Sequence, residues 1–365
     1  MKKKLFITVN NGNISGVERF VIYLSKYINK NNYELIVGIP FYGNLCDELD
    51  KINVKYFIFN KKENKPYRYN GIRNLYKYMK TEKFDIVHAQ AGIVPCILGR
   101  IFKAKLLIEH KHGLDFTDEQ IFNMSLVKKM YEKLKKYFVN YTMTVCNKDK
   151  NILIEKFGYK ENTVKVMYLG TEPINETGKI DFSFKKDFVI GNVGRLTYQK
   201  AQEYFIEMAS LIEKHKLKYN IKYNIYGDGE NYDFYKRLIK ERGLCQKVFL
   251  KGYFNDVGVA FQDIDIFVLT SRYEGIPYVI LEAMEHECII ISTEVGGVNE
   301  IIIDSYNGFL VPKENPEILK EKVIYLLNNF EVRENIRKNA KMNLRTSESV
   351  VNDIEKFYES KCQNN

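Results

Sequence analysis

Two glutamates, Glu274 and Glu282, stand eight residues apart in the stretch SRYEGIPYVILEAME. A Gly-Ile-Pro turn lies between them, and Pro277 suits the first turn of a helix because no backbone N–H is needed there. A helix from Pro277 to about Glu287 leaves its first amides unbonded within the helix and available to a ligand. The two acids could then hold two parts of one polar ligand with an anionic centre. The alternative is that they are acids near a helix start that only favour the helix dipole.

A guanidinium and an ammonium form a second group of chemically useful side chains. The apolar run FVIGNV ends at Gly194, Arg195 follows directly, and Lys200 stands at the start of the next predicted helix. Two positive charges beside the free amides of a helix N-terminus favour the binding of an anion. The alternative is a pair of solvated surface charges.

Other polar, glycine-containing loops follow apolar runs in the same way. They are YGDGE (Tyr226–Glu230), VGGVNEII (Val295–Ile302), Asn11–Gly16 and HKHG (His110–Gly113). The Gly296-Gly297 pair allows either a close approach of the backbone to a ligand or a tight turn.

Alternating strand and helix patterns predict the elements that position these loops. The strand–loop–helix order of KLFITV and its downstream helix recurs at FVIGNVG, and buried strands recur as FDIVHAQ and IDIFVLTS. Continuous apolar runs are typical of parallel strands that are covered on both faces. The fold class is therefore α/β, with two doubly wound parallel sheets. Ligands bind beyond the carboxyl ends of such strands, so we expect a site in a cleft between two facing domains.

Composition and charge limit the function classes. A chain of 365 residues favours two domains, and no apolar run is long enough to cross a bilayer. Six scattered cysteines without a C-x-x-C pair argue against a disulfide framework and a zinc site, and fit a reducing cytoplasm. Through Asn175 there are 30 Lys/Arg against 17 Asp/Glu, whereas the remainder has 26 against 29. The basic N-terminal half should meet something anionic.

Taken together, the motifs resemble those of the family 4 retaining glycosyltransferases, which have the GT-B fold of two Rossmann-like domains. The matching segments are VGRLTYQKA, IYGDGE, VFLKGY, the E-x7-E motif EGIPYVILE and the loop EVGGVNEII, all within Phe188–Pro312. SGVERF, DIVHAQ and the His112-Gly113 pair match more loosely. The resemblance implies an acceptor-side domain (1–172), a nucleotide-sugar-binding domain (173–345) and a C-terminal helix (346–365) that packs back on the first domain.

The resemblance also implies roles for individual residues. Glu274 would hold the donor sugar and Glu282 the ribose, while Arg195 and Lys200 would neutralise the diphosphate. His112 would be the polar group on the acceptor side, or else a histidine that caps a turn. The residues implied in donor binding are Gly16, Tyr253, Gly275, Ile276, Pro277, Tyr278, Val279 and Glu282. Ala201 departs from the family's usual glycine, and Ser15-Gly16 replaces a common Gly-Gly pair.

The resemblance implies same-face attack on the donor, with the departing phosphate taking the acceptor's proton. We expect no cofactor and no metal. Asp263-Ile264-Asp265 matches a metal-binding D-x-D pattern, but it lies at the entry of a strand, away from the predicted site. In the N-terminal half, His88, His110 and His112 have no cysteine or carboxylate nearby at zinc-ligand spacing.

A basic amphipathic stretch covers Ser125–Asn140. Its apolar residues fall at helical spacing, with Lys128, Lys129, Lys135 and Lys136 off that stripe. Such helices suit anionic membrane surfaces, and the alternative is a core-facing stripe with a solvated lysine face. A second basic and aromatic stretch is Lys61–Lys80. No nucleic-acid module accompanies either stretch.

The sequence thus predicts a retaining, metal-independent glycosyltransferase that builds a surface glycan such as capsule or exopolysaccharide. We expect a nucleotide-sugar donor, with UDP-sugar favoured, and a lipid-linked acceptor. The enzyme would be cytoplasmic, or peripheral on the inner face of the plasma membrane. The alternatives are a nucleotide-sugar 2-epimerase of the same fold, a paired-carboxylate glycosidase, and a non-catalytic scaffold that binds sugar nucleotides or membrane.

Overall fold

The structure, a computed structural model, describes residues 2–60, 67–90, 92–114, 120–121, 123–174, 185–253, 257–341 and 344–362. The chain divides into two compact units. The N-terminal domain comprises Met1–Gly170 and Arg345–Asn365, and the C-terminal domain comprises Thr171–Leu344. The predicted boundaries at 172/173 and 345/346 fall within two residues of these divisions. The sequence predicts a linker in the polar, helix-poor stretch Thr171–Asp187, and its residues 175–184 lie outside the described residues.

The N-terminal domain is built on a seven-stranded parallel sheet with the strand order β3-β2-β1-β4-β5-β6-β7. The strands are β1 Lys3–Thr8, β2 Tyr33–Ile39, β3 Lys55–Ile58, β4 Ile86–Ala89, β5 Leu106–Lys111, β6 Tyr141–Thr144 and β7 Val164–Val166. The helices are α1 Gly16–Tyr27, α2 Asn44–Lys51, α3 Tyr69–Glu82, α4 Val94–Ile101, α5 Leu126–Lys135 and α6 Asn147–Phe157.

The C-terminal domain repeats this plan with a six-stranded parallel sheet in the order β10-β9-β8-β11-β12-β13. The strands are β8 Asp187–Val193, β9 Asn220–Tyr226, β10 Val248–Gly252, β11 Ile266–Leu269, β12 Ile289–Thr293 and β13 Phe309–Val311. The helices are α7 Gln202–Glu213, α8 Tyr232–Glu241, α9 Val257–Asp263, α10 Tyr278–Glu285, α11 Pro316–Asn328 and α12 Phe330–Ala340. The prediction of two doubly wound parallel sheets is confirmed.

Burial on both faces explains the continuous apolar runs. Every residue of β11 and β12 is buried, and the side chains on the two faces of this sheet belong to two separate apolar clusters. In each sheet the strand order reverses at one point, between β1 and β4 in the first and between β8 and β11 in the second. Loops that follow strands at such a switch point diverge and leave a crevice for ligands.

The last helix, α13 (Ser347–Cys362), packs on α1 and belongs to the N-terminal domain. The buried hydroxyl of Tyr358 lies 2.5 Å from Nδ1 of His88, and a carboxylate oxygen of Glu355 accepts from the amide of Asn29 at 2.5 Å. The chain therefore returns to its first domain after the second is complete.

Helix α5 departs from the second interpretation of the basic amphipathic stretch, a core-facing apolar stripe with a solvated lysine face. The apolar stripe does not face the core, because Leu126, Val127 and Met130 are exposed and Glu132 is the buried residue of this helix. The prediction that four lysines are solvated is wrong for two of them. Lys135 is bound by buried carboxylates, and Lys136 donates 2.6 Å to the carbonyl of Gly158. None of the described helices has both the length and the apolar character needed to cross a membrane.

Candidate active site

The loop after β8 carries the two predicted cations in different surroundings. Gly194 has φ 158°, a backbone conformation that residues other than glycine rarely adopt. A Cβ on Gly194 would lie 3.3 Å from Cδ and Cε of Lys200, so the lysine stem runs across this glycine. Arg195 is exposed. Ala201, the departure from the family's glycine, is buried in the left-handed region with φ 51° and precedes helix α7.

Lys200 and Glu274 meet at the switch point of the second sheet. Nζ of Lys200 lies 2.6 Å from Oε1 of Glu274, and the two side chains are 13% and 7% exposed. The same carboxylate oxygen accepts from the hydroxyl of Ser271 at 2.6 Å. The amide of Gln199 lies 3.5 Å from the other oxygen and donates to the carbonyl of Tyr273 at 3.1 Å. A buried carboxylate is stabilised by hydrogen-bond donors, and here these donors also hold the Glu274 side chain in one position.

The turn that carries Glu274 is braced by the glycine pair of the loop after β12. Gly296 has φ 58°, and a Cβ there would lie 1.8 Å from the carbonyl oxygen of Glu274. The amide of Gly297 donates to the carbonyl of Gly275 at 2.8 Å. The close backbone approach that a Gly-Gly pair permits is thus made to the E-x7-E turn. A side chain at Gly296 would displace the turn that holds Glu274.

The Gly-Asp-Gly turn after β9 braces the Arg195 loop in the same way. A Cβ on Gly227, where φ is 142°, would lie 2.0 Å from the carbonyl oxygen of Gly194. The amide of Leu196 donates to the carbonyl of Asp228 at 2.9 Å, and the amide of Asn231 donates to the carbonyl of Leu196 at 3.0 Å. The loop after β8, which carries Arg195 and Lys200, is therefore held by the backbone of the loop after β9.

Helix α10 begins at Tyr278, one residue later than predicted, with Pro277 as its N-cap at φ −77° and ψ 122°. It ends at Glu285, two residues earlier than predicted. The residues that lead into it, Gly275, Ile276 and Pro277, are buried, as is Tyr278. The first amides of an α-helix have no acceptor within the helix, so these can face a ligand.

Other predicted donor-binding residues are more open. Val279 and Glu282 are half-buried on α10. The backbone carbonyl oxygen of Glu282 lies 2.9 Å from Nδ1 of His286. Tyr253 follows β10 and is 58% exposed. All three lie in the C-terminal domain together with Arg195, Lys200 and Glu274.

Gly16 and His112 belong to the N-terminal domain. Gly16 is the first residue of α1, where Ser15 and Glu18 form a capping box and the Ser15 amide donates to the Glu18 carboxylate at 3.1 Å. The ring of Phe20, one turn further along α1, lies 5.0 Å from the His112 ring in an edge contact. Phe20 thereby links α1, which follows β1, to His112, which follows β5.

His112 ends a stack of three imidazoles. Its ring lies 4.3 Å from that of His110, which lies 5.3 Å from that of His88. Nε2 of His112 lies 2.7 Å from Oε1 of Gln90, and Nδ1 is buried without a hydrogen-bond partner among the described residues. Burial lowers the pKa of His112 to about 3, so the ring is neutral at physiological pH.

Ser271, Gln199 and Gln90 are site neighbours that the sequence did not reveal. Each stands within a few residues of a strand end, which was the available signal. Ser271 bonds to Glu274 in its own loop, whereas the partners of Gln199 and Gln90 come from other loops. Arg272 is a further cation beside the site, yet its guanidinium is held by Glu203 at 2.7 Å and Glu314 at 2.6 Å. It is therefore a brace between loops.

The D-x-D pattern has a structural role at its second aspartate. Asp265 is buried at the entry of β11, bonded to the ammonium of Lys185, and accepts from the amide of Val189 at 2.8 Å. Burial raises the pKa of this carboxyl. Within the described ranges, no group of three His, Cys, Asp or Glu side chains is placed to hold a metal ion.

Comparison with known proteins agrees with this architecture. The family model "Glycosyltransferase Family 4" matches residues 14–173, and the model "Glycosyl transferases group 1" matches residues 174–343. The two family models and the two parallel α/β units together place the chain among the glycosyltransferases of the GT-B fold class. The chain belongs to glycosyltransferase family 4.

Two relatives are similar along most of their length. The UDP-Gal:alpha-D-GlcNAc-diphosphoundecaprenol alpha-1,3-galactosyltransferase of Escherichia coli is 27% identical over 313 residues, covering 82% of this chain and 81% of the relative. The GalNAc-alpha-(1->4)-GalNAc-alpha-(1->3)-diNAcBac-PP-undecaprenol alpha-1,4-N-acetyl-D-galactosaminyltransferase of Campylobacter jejuni is 26% identical, covering 95% of both chains.

A solved structure of Anabaena HepE in complex with UDP and glucose is similar in fold. It matches with a TM-score of 0.82 and 19% identity, covering 98% of this chain and 100% of that chain.

Proposed function

We propose that this chain is a retaining glycosyltransferase that moves a sugar from a UDP-sugar to a lipid-linked acceptor in surface-glycan synthesis, such as that of capsule or exopolysaccharide. The observation that carries the proposal is the Lys200–Glu274 pair at the switch point, with Arg195 exposed on the same loop. An acid and two cations at the carboxyl ends of parallel strands suit a ligand with hydroxyls and a diphosphate.

The two charges of the pair serve different parts of the donor in this proposal. An ammonium has three donors, so Lys200 can hold Glu274 and still donate to a phosphate oxygen. The carboxylate accepts from Ser271 and Lys200 through one oxygen, and its other oxygen can accept from a sugar hydroxyl. Arg195 is exposed, so its guanidinium can turn toward the second phosphate. Glu282 would bind the ribose.

The reaction needs little beyond charge stabilisation. The bond between C1 of the sugar and the phosphate oxygen breaks, and a bond from the acceptor oxygen to C1 forms on the same face. The acceptor's proton passes to the departing phosphate oxygen, so UDP leaves carrying it. Cations fixed before the reaction stabilise the negative charge that grows on the diphosphate. Neutral His112, whose buried Nδ1 has no hydrogen-bond partner among the described residues, would contact the sugar from the acceptor side.

The choice of donor and acceptor class rests on the relatives. The name of the Escherichia coli relative specifies UDP-Gal and a diphosphoundecaprenol-linked acceptor, and that of the Campylobacter jejuni relative specifies an undecaprenol-linked one. The Anabaena structure holds UDP and glucose. We further propose that no metal and no cofactor take part, and that the enzyme works on the cytoplasmic side of the plasma membrane.

The test is a transfer assay with the full chain against UDP-, GDP- and ADP-sugars and undecaprenyl-diphosphate glycans. We expect a thermal shift with a UDP-sugar and a product whose new linkage has the donor's anomeric configuration by NMR. Inversion of configuration would contradict the mechanism. Conversion of the donor to its C2 epimer without an acceptor would favour an epimerase. Binding without turnover would favour a scaffold, and hydrolysis of glycosides without nucleotide binding would favour a glycosidase.

A further inference from the structure

Helix α5 has its apolar side on the surface and a charged side in the interior. Five residues, here called the α5 face, are between 46% and 84% exposed: Leu126, Val127, Met130, Tyr131 and Leu134. At about 100° per residue they share one side of the helix, and Glu132 lies on the opposite side. Tyr137 and Phe138, in the turn that follows, are also exposed. Water-soluble proteins seldom expose so much contiguous apolar surface without a use for it.

Buried ion pairs fix the helix in this orientation. Glu132 lies 2.8 Å from Nζ of Lys135 and 3.3 Å from Nζ of Lys111, the last residue of β5. Glu109, also on β5, lies 3.3 Å from Lys111 and 3.6 Å from Lys135. All four side chains are at most 12% exposed. A roll of the helix that hid the apolar side would break this network and leave Glu109 and Lys111 against an apolar surface without their partners on the helix.

The end of the helix is held as firmly. The carbonyl of Glu132 accepts from the hydroxyl of Tyr159 at 3.1 Å. Lys136 donates to the carbonyls of Phe157 and Gly158, at the C-terminus of α6. The α5 face is thus presented outward by contacts of the C-terminal half of the helix.

The charges around the α5 face indicate what covers it. Lys128 and Lys133 are exposed and border the apolar arc, and the N-terminal domain carries 33 Lys/Arg against 20 Asp/Glu. Aliphatic and aromatic side chains bordered by lysines suit the interface of an anionic bilayer. A symmetric contact with a second copy would instead bring the lysines of both copies together.

We propose that the α5 face inserts into the surface of an anionic lipid bilayer and docks the N-terminal domain there. Resting on the proposed function, the docking would bring a lipid-linked acceptor to His112, which directly follows Lys111, the residue that anchors α5.

Sedimentation of the full chain with vesicles tests this proposal. Wild type should bind phosphatidylglycerol vesicles, bind pure phosphatidylcholine weakly, and lose affinity at high salt. L126S/M130S/L134S should lose more than about tenfold in partitioning because the inserted apolar area is removed. K128E/K133E should lose about thirtyfold or more. Lys135 and Lys136 are left intact because the fold uses them.

Matched variants in the C-terminal domain provide the controls. V259S/I303S/Y325S replaces three apolar residues that are 46% to 53% exposed, and K236E/K240E makes the same charge change on α8. Both should partition like wild type, and all variants should keep the wild-type Tm. Equal partitioning of the α5 variants and their controls would overturn the proposal. So would a dimer in solution that L126S/M130S/L134S dissociates.

Activity separates this proposal from the enzymatic one. The α5 variants should transfer sugar to a short water-soluble acceptor at the wild-type rate and lose transfer only to an acceptor in vesicles. Vesicle binding without any transfer by wild type would sustain the docking and overturn the proposed function. Transfer to a lipid-linked acceptor by wild type that does not bind vesicles would sustain the function and overturn the docking.

Discussion

Separating Lys200 from Glu274 should affect both stability and catalysis. The two charges are 2.6 Å apart, and their side chains are 13% and 7% exposed. At an effective dielectric constant of about 20 their attraction is roughly 6 kcal/mol, which the loss of hydration largely offsets. Removing one partner leaves the other charge buried, so K200M should cost about 3 kcal/mol of unfolding free energy. E274Q keeps the volume and an acceptor oxygen, so about 2 kcal/mol is expected.

A double-mutant cycle measures the coupling directly. Urea unfolding of K200M, E274Q and the double variant should give a coupling energy of about 2 kcal/mol. The matched control is Lys51–Glu48, which has the same 2.6 Å separation but is 68% and 38% exposed, so its coupling should stay below about 0.5 kcal/mol. A coupling at Lys200–Glu274 no larger than that of the control would refute the assignment of a buried pair.

Catalysis gives an independent readout of the same variants. K200M should lower kcat/KM by about a hundredfold or more because charge on the departing diphosphate is no longer stabilised. E274Q should also lose activity while still binding UDP, since in the proposal its carboxylate contacts the sugar. Near-normal turnover by folded K200M and E274Q would show that the pair is only a structural brace.

Three further outcomes are expected. R195A should keep the wild-type Tm, because the side chain is exposed, and lower kcat/KM by about a hundredfold; unchanged turnover would remove Arg195 from the diphosphate site. Activity should survive excess EDTA, and complete loss that manganese or magnesium restores would contradict metal independence. Burial lowers the pKa of His88 and His112 to about 3, and that of His110 well below the usual 6.5. Between pH 6.5 and 3 only the unfolded chain takes up these protons. The free energy of unfolding should therefore decrease as the pH is lowered, by about 2 kcal/mol per histidine at pH 5 relative to pH 7. Urea unfolding at pH 7 and pH 5 checks this, with a smaller fall for H112Q and an unchanged one for the exposed control H215Q.

The sequence predicted the sheets well because their physics is local. A parallel strand that is covered on both faces is mainly apolar, as in Ile289–Thr293, which begins with three isoleucines. Such a strand can be recognised without knowing its neighbours. Gly275 and Pro277 likewise identify the turn before α10 from their backbone requirements alone. The end of that helix was misplaced by two residues, because Glu287 adopts a left-handed backbone with φ 56° that its residue type does not indicate.

The partners within the site could not be predicted, since they depend on which loops meet. The E-x7-E spacing singled out Glu274, but Gln199 and the bracing Gly296 became its neighbours only through tertiary structure. The glycine pair was interpreted as either a ligand contact or a tight turn, and its contact is with the backbone of the acid itself. A sequence shows which residues permit a close approach and does not show what approaches.

Helix α5 shows the same limit in reverse. A periodic apolar stripe indicates that a helix has two unlike sides, but hydrophobicity alone assigns the apolar side to the interior. The missing information was the partner of Glu132, a single acid among lysines opposite the stripe. Its pairing with Lys111 requires β5 to carry a buried ammonium beside a buried Glu109, and no short-range pattern specifies that arrangement. Because this network ends one residue before His112, a rotation of α5 would disturb the backbone that places the histidine. The orientation of the helix and the geometry of the acceptor side are therefore fixed by the same ion pairs.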